Sequence, residues 1–321
     1  MADADAAVAD AGENPGHKFR CKDMTARGEP RAHVAFTTLQ TLWVNTGTLC
    51  NIECANCYIE SSPGNDRLEY LTRTELAPFL KEAAQMDAAE IGFTGGEPFM
   101  NPDMIAMTRD SLEAGFRVLI LTNAMRPMMR PGVHGALRDL VKRYGARLTL
   151  RVSLDHYTKA GHDAQRGEGS FDIAIDGVKA LIADDADITI AGRSLYGESE
   201  AATRAGFARL CKDLGLSLDA DDPHQLVLFP EMDACADTPE ITEGCWRILG
   251  KNPQDMMCAN TRMVVKRKGA ARPSVLACTL IAYDSAFELG DDLAGATSKD
   301  VYLNHPHCSR FCVLGGANCS G

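Results

Sequence analysis

The sequence predicts an α/β protein: six strand–helix repeats building a parallel sheet, followed by a cysteine-rich tail that contains a β-hairpin. Three observations carry this reading. From about residue 36 to 230, short apolar runs alternate with amphipathic stretches, which is the signature of βα units. That rhythm stops near residue 235, and seven of the twelve cysteines lie beyond it. Within the tail, two strand-like segments flank a Gly- and Pro-containing turn.

The expected strands are residues 42–45, 90–93, 117–121, 147–154, 187–191 and 225–229. Helical patterns fill 73–86, 101–114, 133–144, 170–183 and 201–214. Thr72 ahead of Glu75 reads as a capping box, and Asn101 ahead of Pro102 as a second helix start. Six repeats are fewer than the eight of a closed barrel. The chain divides into a flexible leader (1–33), a βα core (34–234) and the tail (235–321). The leader is rich in Ala, Asp and Gly and has no sustained apolar period.

Hydrophobic residues make up 45% of the 321, enough for a sizeable core. The net charge of −11 disfavours a large nucleic-acid footprint. No apolar run reaches membrane-spanning length, and the acidic N-terminus is no secretory signal. Twelve cysteines without an export signal argue for metal ligation in a reducing compartment, so a cytoplasmic location is expected.

The chemistry centres on Cys50-Asn51-Ile52-Glu53-Cys54-Ala55-Asn56-Cys57-Tyr58. Three thiols can hold a four-iron cluster and leave one iron open to a small molecule. A zinc knuckle or unrelated thiols are the alternatives, but no further His or Cys follows until His134. After the second expected strand comes Thr94-Gly95-Gly96-Glu97-Pro98, where paired glycines let backbone approach a ligand and Glu97 adds negative charge.

A Cys-x3-Cys-x2-Cys loop followed by a Gly-Gly-Glu-Pro turn resembles the radical S-adenosylmethionine (SAM) superfamily. The resemblance implies an open (β/α)6 TIM-like barrel and a [4Fe–4S] cluster on Cys50, Cys54 and Cys57. SAM would chelate the fourth iron and be cleaved reductively to a 5′-deoxyadenosyl radical that abstracts hydrogen from substrate. Many members carry an aromatic residue before the third cysteine. Here Asn56 stands there and Tyr58 follows, an order often seen in relatives with a C-terminal iron–sulfur extension. An external electron donor such as flavodoxin or ferredoxin is also implied.

Function in such folds collects at the carboxyl ends of the strands. That rule, with the resemblance, nominates Tyr58, Thr94, Gly95, Gly96, Glu97, Asn123, Ser153 and Arg166 as cofactor-binding residues. It nominates Asp155, His156, Tyr157 and Arg193 as catalytic residues. Glu231 and Asp233 are further candidates by position alone. His134, His162 and His224 are expected to be hydrogen-bonded structural residues, and Cys21 a free thiol.

In the tail, Cys258 and Cys278 bracket the expected hairpin (262–265 and 274–277), and antiparallel pairing would bring them together. Cys308 and Cys312 add a second pair, with Cys319 as a substitute. This arrangement resembles the twitch extension, a shortened SPASM domain that holds one auxiliary [4Fe–4S] cluster; structural zinc on the same thiolates is the alternative. Cys235 and Cys245 are spare thiols or belong to a second auxiliary cluster. The basic run Lys266-Arg267-Lys268 is expected to be a solvated hairpin tip. The favoured function is dehydrogenase-like oxidation of a small polar substrate, with the auxiliary cluster passing the electron. A peptide-modifying maturase is the runner-up, and a non-catalytic iron–sulfur sensor the third reading.

Overall fold

The computed structural model describes residues 18–194, 197–230 and 237–316. The core runs β1 (His33–Val34), β2 (Thr41–Asn45), α1 (Arg73–Gln85), β3 (Glu90–Thr94), α2 (Met104–Glu113) and β4 (Arg117–Thr122). It continues with α3 (Pro131–Tyr144), β5 (Leu148–Ser153), α4 (Lys159–Arg166), α5 (Ser170–Ala183), β6 (Asp187–Ser194), α6 (Glu200–Leu214) and β7 (Leu226–Pro230). The tail adds α7 (Glu243–Leu249), β8 (Thr261–Val265), β9 (Ser274–Leu276), β10 (Glu288–Gly290), α8 (Leu293–Thr297) and β11 (Val301–Tyr302).

Strands β2 to β7 lie side by side in chain order and all parallel, as an open barrel rather than a closed one. The central residues of β2 and β3 are buried on both faces, which is why those strands read as near-continuous apolar runs. Gly92 is needed beside Trp43: a Cβ there would lie 2.5 Å from the indole ring. All six expected core strands and all five expected helices are present.

Four features differ from expectation. First, α4 was not foreseen, because its eight residues carry only one buried side chain, His162. Second, Thr72 and Glu75 form the capping box of α1, and Asn101, whose Oδ1 accepts from the Asp103 N–H (2.8 Å) just ahead of α2, has a further task that was not foreseen. Its amide donates to the carbonyls of Thr46 (2.9 Å) and Leu71 (2.8 Å), so it ties the end of β2 to the α1 approach. Third, the tail hairpin β8–β9 is antiparallel as expected, yet β8 also pairs in parallel with β2. The described sheet therefore has nine strands, with the hairpin and β10 continuing the core sheet past its first strand. Fourth, the basic run is solvated only at Lys268, which pairs with exposed Asp66 (2.5 Å): Lys266 is buried against Glu75 (2.6 Å), and half-buried Arg267 pairs with Glu288 (2.7 Å).

Of the expected leader, residues 18–33 lie against the tail. Arg31 is 1% exposed and donates to Glu240 (2.5 Å) and to the carbonyls of Met24 and Cys21. β1 pairs with β11. A charged residue inside a segment of low hydrophobicity hides this docking, because its partner lies 209 positions away. Burial pushes the Glu240 carboxyl up, but the Ala26 and Phe19 N–H donors and Arg31 outweigh it and hold it low. The pair's stabilisation is therefore present at neutral pH and lost as pH falls through the depressed carboxyl value. Arg31→Ala is expected to cost about 3–5 kcal/mol by leaving the Glu240 charge buried alone. Urea unfolding at pH 7 against pH 4 measures both effects, and the mutant's deficit should shrink in acid.

Candidate functional site

One cavity of about 1000 Å³ opens at the carboxyl ends of the parallel strands. Cys50, Cys54 and Cys57 enter it from the loop after β2, and Gly95 and Gly96 from the turn after β3. Asn123 follows β4, Ser153 ends β5, and Asp155 comes just beyond. Arg166 reaches in from the last residue of α4 and Arg193 from β6. Thr94 and Tyr58 also line it.

The glycine pair does more than approach a ligand. The Gly96 N–H donates to the Gly47 carbonyl (2.8 Å) and the Glu97 N–H to the Leu49 carbonyl (3.1 Å). A Cβ on Gly96 would overlap the Leu49 carbonyl, and Gly95 adopts φ +145°, where side chains are strained. The turn is thus a backbone clamp on the chain leading into Cys50.

Asp155, 3% exposed, is held between two cations. Arg166 donates to both its oxygens (2.9 and 3.0 Å), and Arg193 Nε lies 3.3 Å away. Burial pushes this carboxyl up, but the two guanidiniums outweigh it and hold it below the usual carboxylate range. Arg193 Nη2 donates to the Asn56 carbonyl (2.7 Å), whereas its buried Nη1 has no hydrogen-bond partner among the described residues. The cysteine loop is tied to α4 as well: Ala55 N–H donates to the Gln165 carbonyl, and the Asn56 amide to the Gln165 side chain.

Three nominated residues do not line the cavity. Glu97 is turned into the protein, 1% exposed, and accepts from Asn123 N (2.8 Å), Phe99 N (3.1 Å) and Thr122 Oγ1 (2.9 Å). Burial raises its carboxyl to about 7 despite those donors, so its place is as a brace between two strand ends. His156 and Tyr157 stack on each other (4.2 Å between rings) and face Glu198 on the outer side. His162 is a packed residue, T-shaped on Phe171, and neither ring nitrogen is hydrogen-bonded, contrary to expectation. His134 pairs with Asp184 at 2.8 Å.

Sequence reasoning missed Thr279, Leu280, Phe229 and Ser61 in the cavity wall. Thr279 and Leu280 come from the tail, and only the β2–β8 pairing brings them there. The missed Cys211 is a core thiol without a role at either cavity.

A second cavity of about 360 Å³ lies in the tail. Cys258 precedes β8, Cys278 follows β9, and Cys308 and Cys312 sit in the π-helical turn Cys308–Leu314; all four line it. The first three are 8–9% exposed, and Cys312 is half-buried. Buried Arg262 donates to the Cys258 carbonyl (2.6 Å) and stacks on Phe36, which fixes the Cys258 turn. His307, next to Cys308 in sequence, also lines this cavity and was passed over. Leu280 is common to both cavities. Cys245 bonds to Thr242 at the start of α7 and lines neither, and Cys21 is exposed beside Asp23. Glu231, Asp233, Cys235 and Cys319 lie outside the described residues.

Among the described residues, no group of three or more His, Cys, Asp or Glu side chains forms a site for a single metal ion. The thiols stand around the two cavities. In the first cavity the donor set is three thiols with two neighbouring guanidiniums to offset their charge, and the one carboxylate is already taken by those guanidiniums. Burial pushes the Cys50 thiol up to about 12, so a bare thiolate there is disfavoured without a metal to share the charge. These residues fit a [4Fe–4S] cluster with one iron left for a non-protein ligand.

An open parallel α/β barrel with a three-thiol loop at the carboxyl end of its first barrel strand defines a class of cluster-bearing barrels. The chain matches the Radical SAM superfamily over residues 44–197. It is 31% identical over 134 residues to the AdoMet-dependent heme synthase of Methanosarcina barkeri, an alignment covering 41% of this chain and 36% of that protein. It is 31% identical over 136 residues to the antilisterial bacteriocin subtilosin biosynthesis protein AlbA of Bacillus subtilis, covering 41% and 28%. The chain thus spans less than half the length of these curated relatives. Among solved structures, Streptococcus suis SuiB bound to S-adenosylmethionine superimposes with a TM-score of 0.59 at 12% identity, covering 82% of this chain and 64% of SuiB. That likeness establishes the fold. No helix among the described residues is long and apolar enough to cross a membrane.

Proposed function

We propose that the protein is a radical SAM enzyme whose substrate is a peptide. The observation that carries the radical SAM reading is the convergence of three thiols, the Gly95–Gly96 turn and the Arg166–Asp155–Arg193 system on one cavity at the strand ends. When bound, the cluster and SAM supply reductive cleavage of SAM and a carbon radical that takes a hydrogen atom from substrate.

The chain's own residues would divide the work as follows. Cys50, Cys54 and Cys57 hold the cluster, while Gly95, Gly96 and Ser153 border SAM. Arg193 offers its unpartnered Nη1 to a carboxylate in the cavity. Asp155 is a positioning residue that aims both guanidiniums. Thr94, Asn123 and Tyr58 complete the wall. The second cavity takes an auxiliary cluster on Cys258, Cys278, Cys308 and a fourth donor from the stretch that begins the π-helical turn. That donor set and the shared Leu280 support electron transfer between the cavities during a net oxidation.

The peptide reading replaces the small polar substrate expected from sequence. It is supported by AlbA, a bacteriocin biosynthesis protein, and by the structure of SuiB with its precursor peptide SuiA, which has a TM-score of 0.59 to this chain. The test is anaerobic incubation of the reconstituted protein with SAM, dithionite and short peptides encoded beside its gene. Expected is methionine plus 5′-deoxyadenosine in step with a peptide mass loss of about two hydrogens per turnover, as a net oxidation requires. Turnover with small polyols and none with any peptide would overturn the substrate class. Intact SAM would overturn the enzyme.

A further inference from the structure

We propose that His307 is a nitrogen ligand of the iron–sulfur site in the second cavity, completing a set with Cys258, Cys278 and Cys308. The inference rests on the auxiliary-cluster reading above and names its fourth donor.

His307 is 6% exposed, lines the cavity, and its ring nitrogens make no hydrogen bond to any described side chain. Its surroundings in that cavity are otherwise apolar apart from the thiols: Met256, Met257, Leu280, Phe287, Val301 and Leu303. An imidazole buried among such side chains is unfavourable where a ring nitrogen is left unpaired, because that nitrogen has given up water and gained nothing in return. Ligation of iron by that nitrogen removes the penalty. The other is served by the Leu280 backbone, which acts on the ring as a hydrogen-bonding group. Metal-bound histidines characteristically turn their other N–H towards a backbone carbonyl of this kind.

The backbone is arranged to hold the ring there. The His307 N–H donates to His305 Nδ1 (3.1 Å), and the two rings lie 4.6 Å apart. His305 packs edge-on against Phe287 and does not line the cavity, so it positions its neighbour. The candidate it displaces, Cys312, is the most exposed of the four cavity thiols. A neutral imidazole in place of a thiolate lowers the negative charge on a cluster and raises its reduction potential. A higher potential favours accepting an electron from the first cavity across the Leu280 wall.

The test uses the full chain with Cys50, Cys54 and Cys57 all changed to Ala, so that only the second site can load. It is grown with 15N-histidine, reconstituted anaerobically with iron and sulfide, reduced with dithionite and studied by pulsed EPR. About four irons with a strong 15N coupling are expected. In the same background, His307→Cys should keep the iron, abolish the coupling and lower the midpoint potential, whereas Cys312→Ala should keep both iron and coupling. Four irons without 15N coupling, or coupling that survives His307→Cys, would overturn the ligand assignment and leave the auxiliary cluster standing. Failure of the unsubstituted-His307 protein to hold iron, or its holding zinc instead, would overturn the cluster reading and this assignment with it.

Discussion

Cys54→Ala is expected to abolish 5′-deoxyadenosine formation. Cys54 is the middle donor of the loop and sits beside both guanidiniums of the Asp155 system. Two thiols cannot hold a four-iron cluster in a fixed pose, and no described His or free carboxylate in the cavity wall offers a replacement. Substituting a residue that merely supports a metal ligand commonly costs 10–100-fold, so removal of the ligand itself sets a floor of roughly 100-fold. Chromatographic quantification of 5′-deoxyadenosine after dithionite reduction reads the effect. The iron bound in the tail should survive, which separates loss of one site from loss of the fold. Retained product formation would remove the basis for assigning Cys50, Cys54 and Cys57 to the catalytic cluster.

Gly96→Ala should be nearly as damaging, for a different reason. The added Cβ meets the Leu49 carbonyl and carbon and the Thr48 carbonyl, all backbone atoms that have no rotamer with which to yield. Overpacking of this type costs about 1–3 kcal/mol, and the Glu97 N–H to Leu49 bond would be strained as well, adding about 1 kcal/mol. A total of about 2–4 kcal/mol falls on the segment that delivers Cys50. The expected phenotype is a folded protein with a lower melting temperature, a sharp loss of catalytic-site iron and little change at the second site. Gly132→Ala is the control. It lies in the first turn of α3 with open space around it, and should be neutral or stabilising by up to about 1 kcal/mol. Equal effects of the two substitutions would refute the clamp.

The core was legible where periodicity is local. β2 and β3 are covered on both faces and so announce themselves as apolar runs, and α1 carries its capping box in four consecutive residues. The three-thiol loop and the glycine turn were legible because their chemistry is compressed into short motifs. What escaped was whatever depends on partners distant in sequence. Arg31 cannot be read as buried without Glu240, nor Lys266 as an anchor without Glu75. Asn101 was legible as a helix start, since its Oδ1 accepts from the nearby Asp103 N–H, but the ties of its amide to distant Thr46 and Leu71 were not. Glu97, His156 and Tyr157 sit in or beside site motifs, and sequence position alone does not say which way a side chain turns past a strand end. His307 adjoins Cys308, but a single His beside a cysteine has no spacing signal of its own, and its burial depends on side chains as distant in sequence as Met256 and Leu280.

The parallel ladder between β8 and β2 has a bearing on biogenesis. The strand that launches the cysteine loop owes one of its two flanks to residues synthesised more than two hundred positions later. A nascent chain halted before them would present a raw, sticky flank on its most reactive segment, an invitation to misassembly and adventitious oxidation. The flank of β2 is therefore completed only when the last quarter of the chain is in place, which ties the front of the molecule to its back.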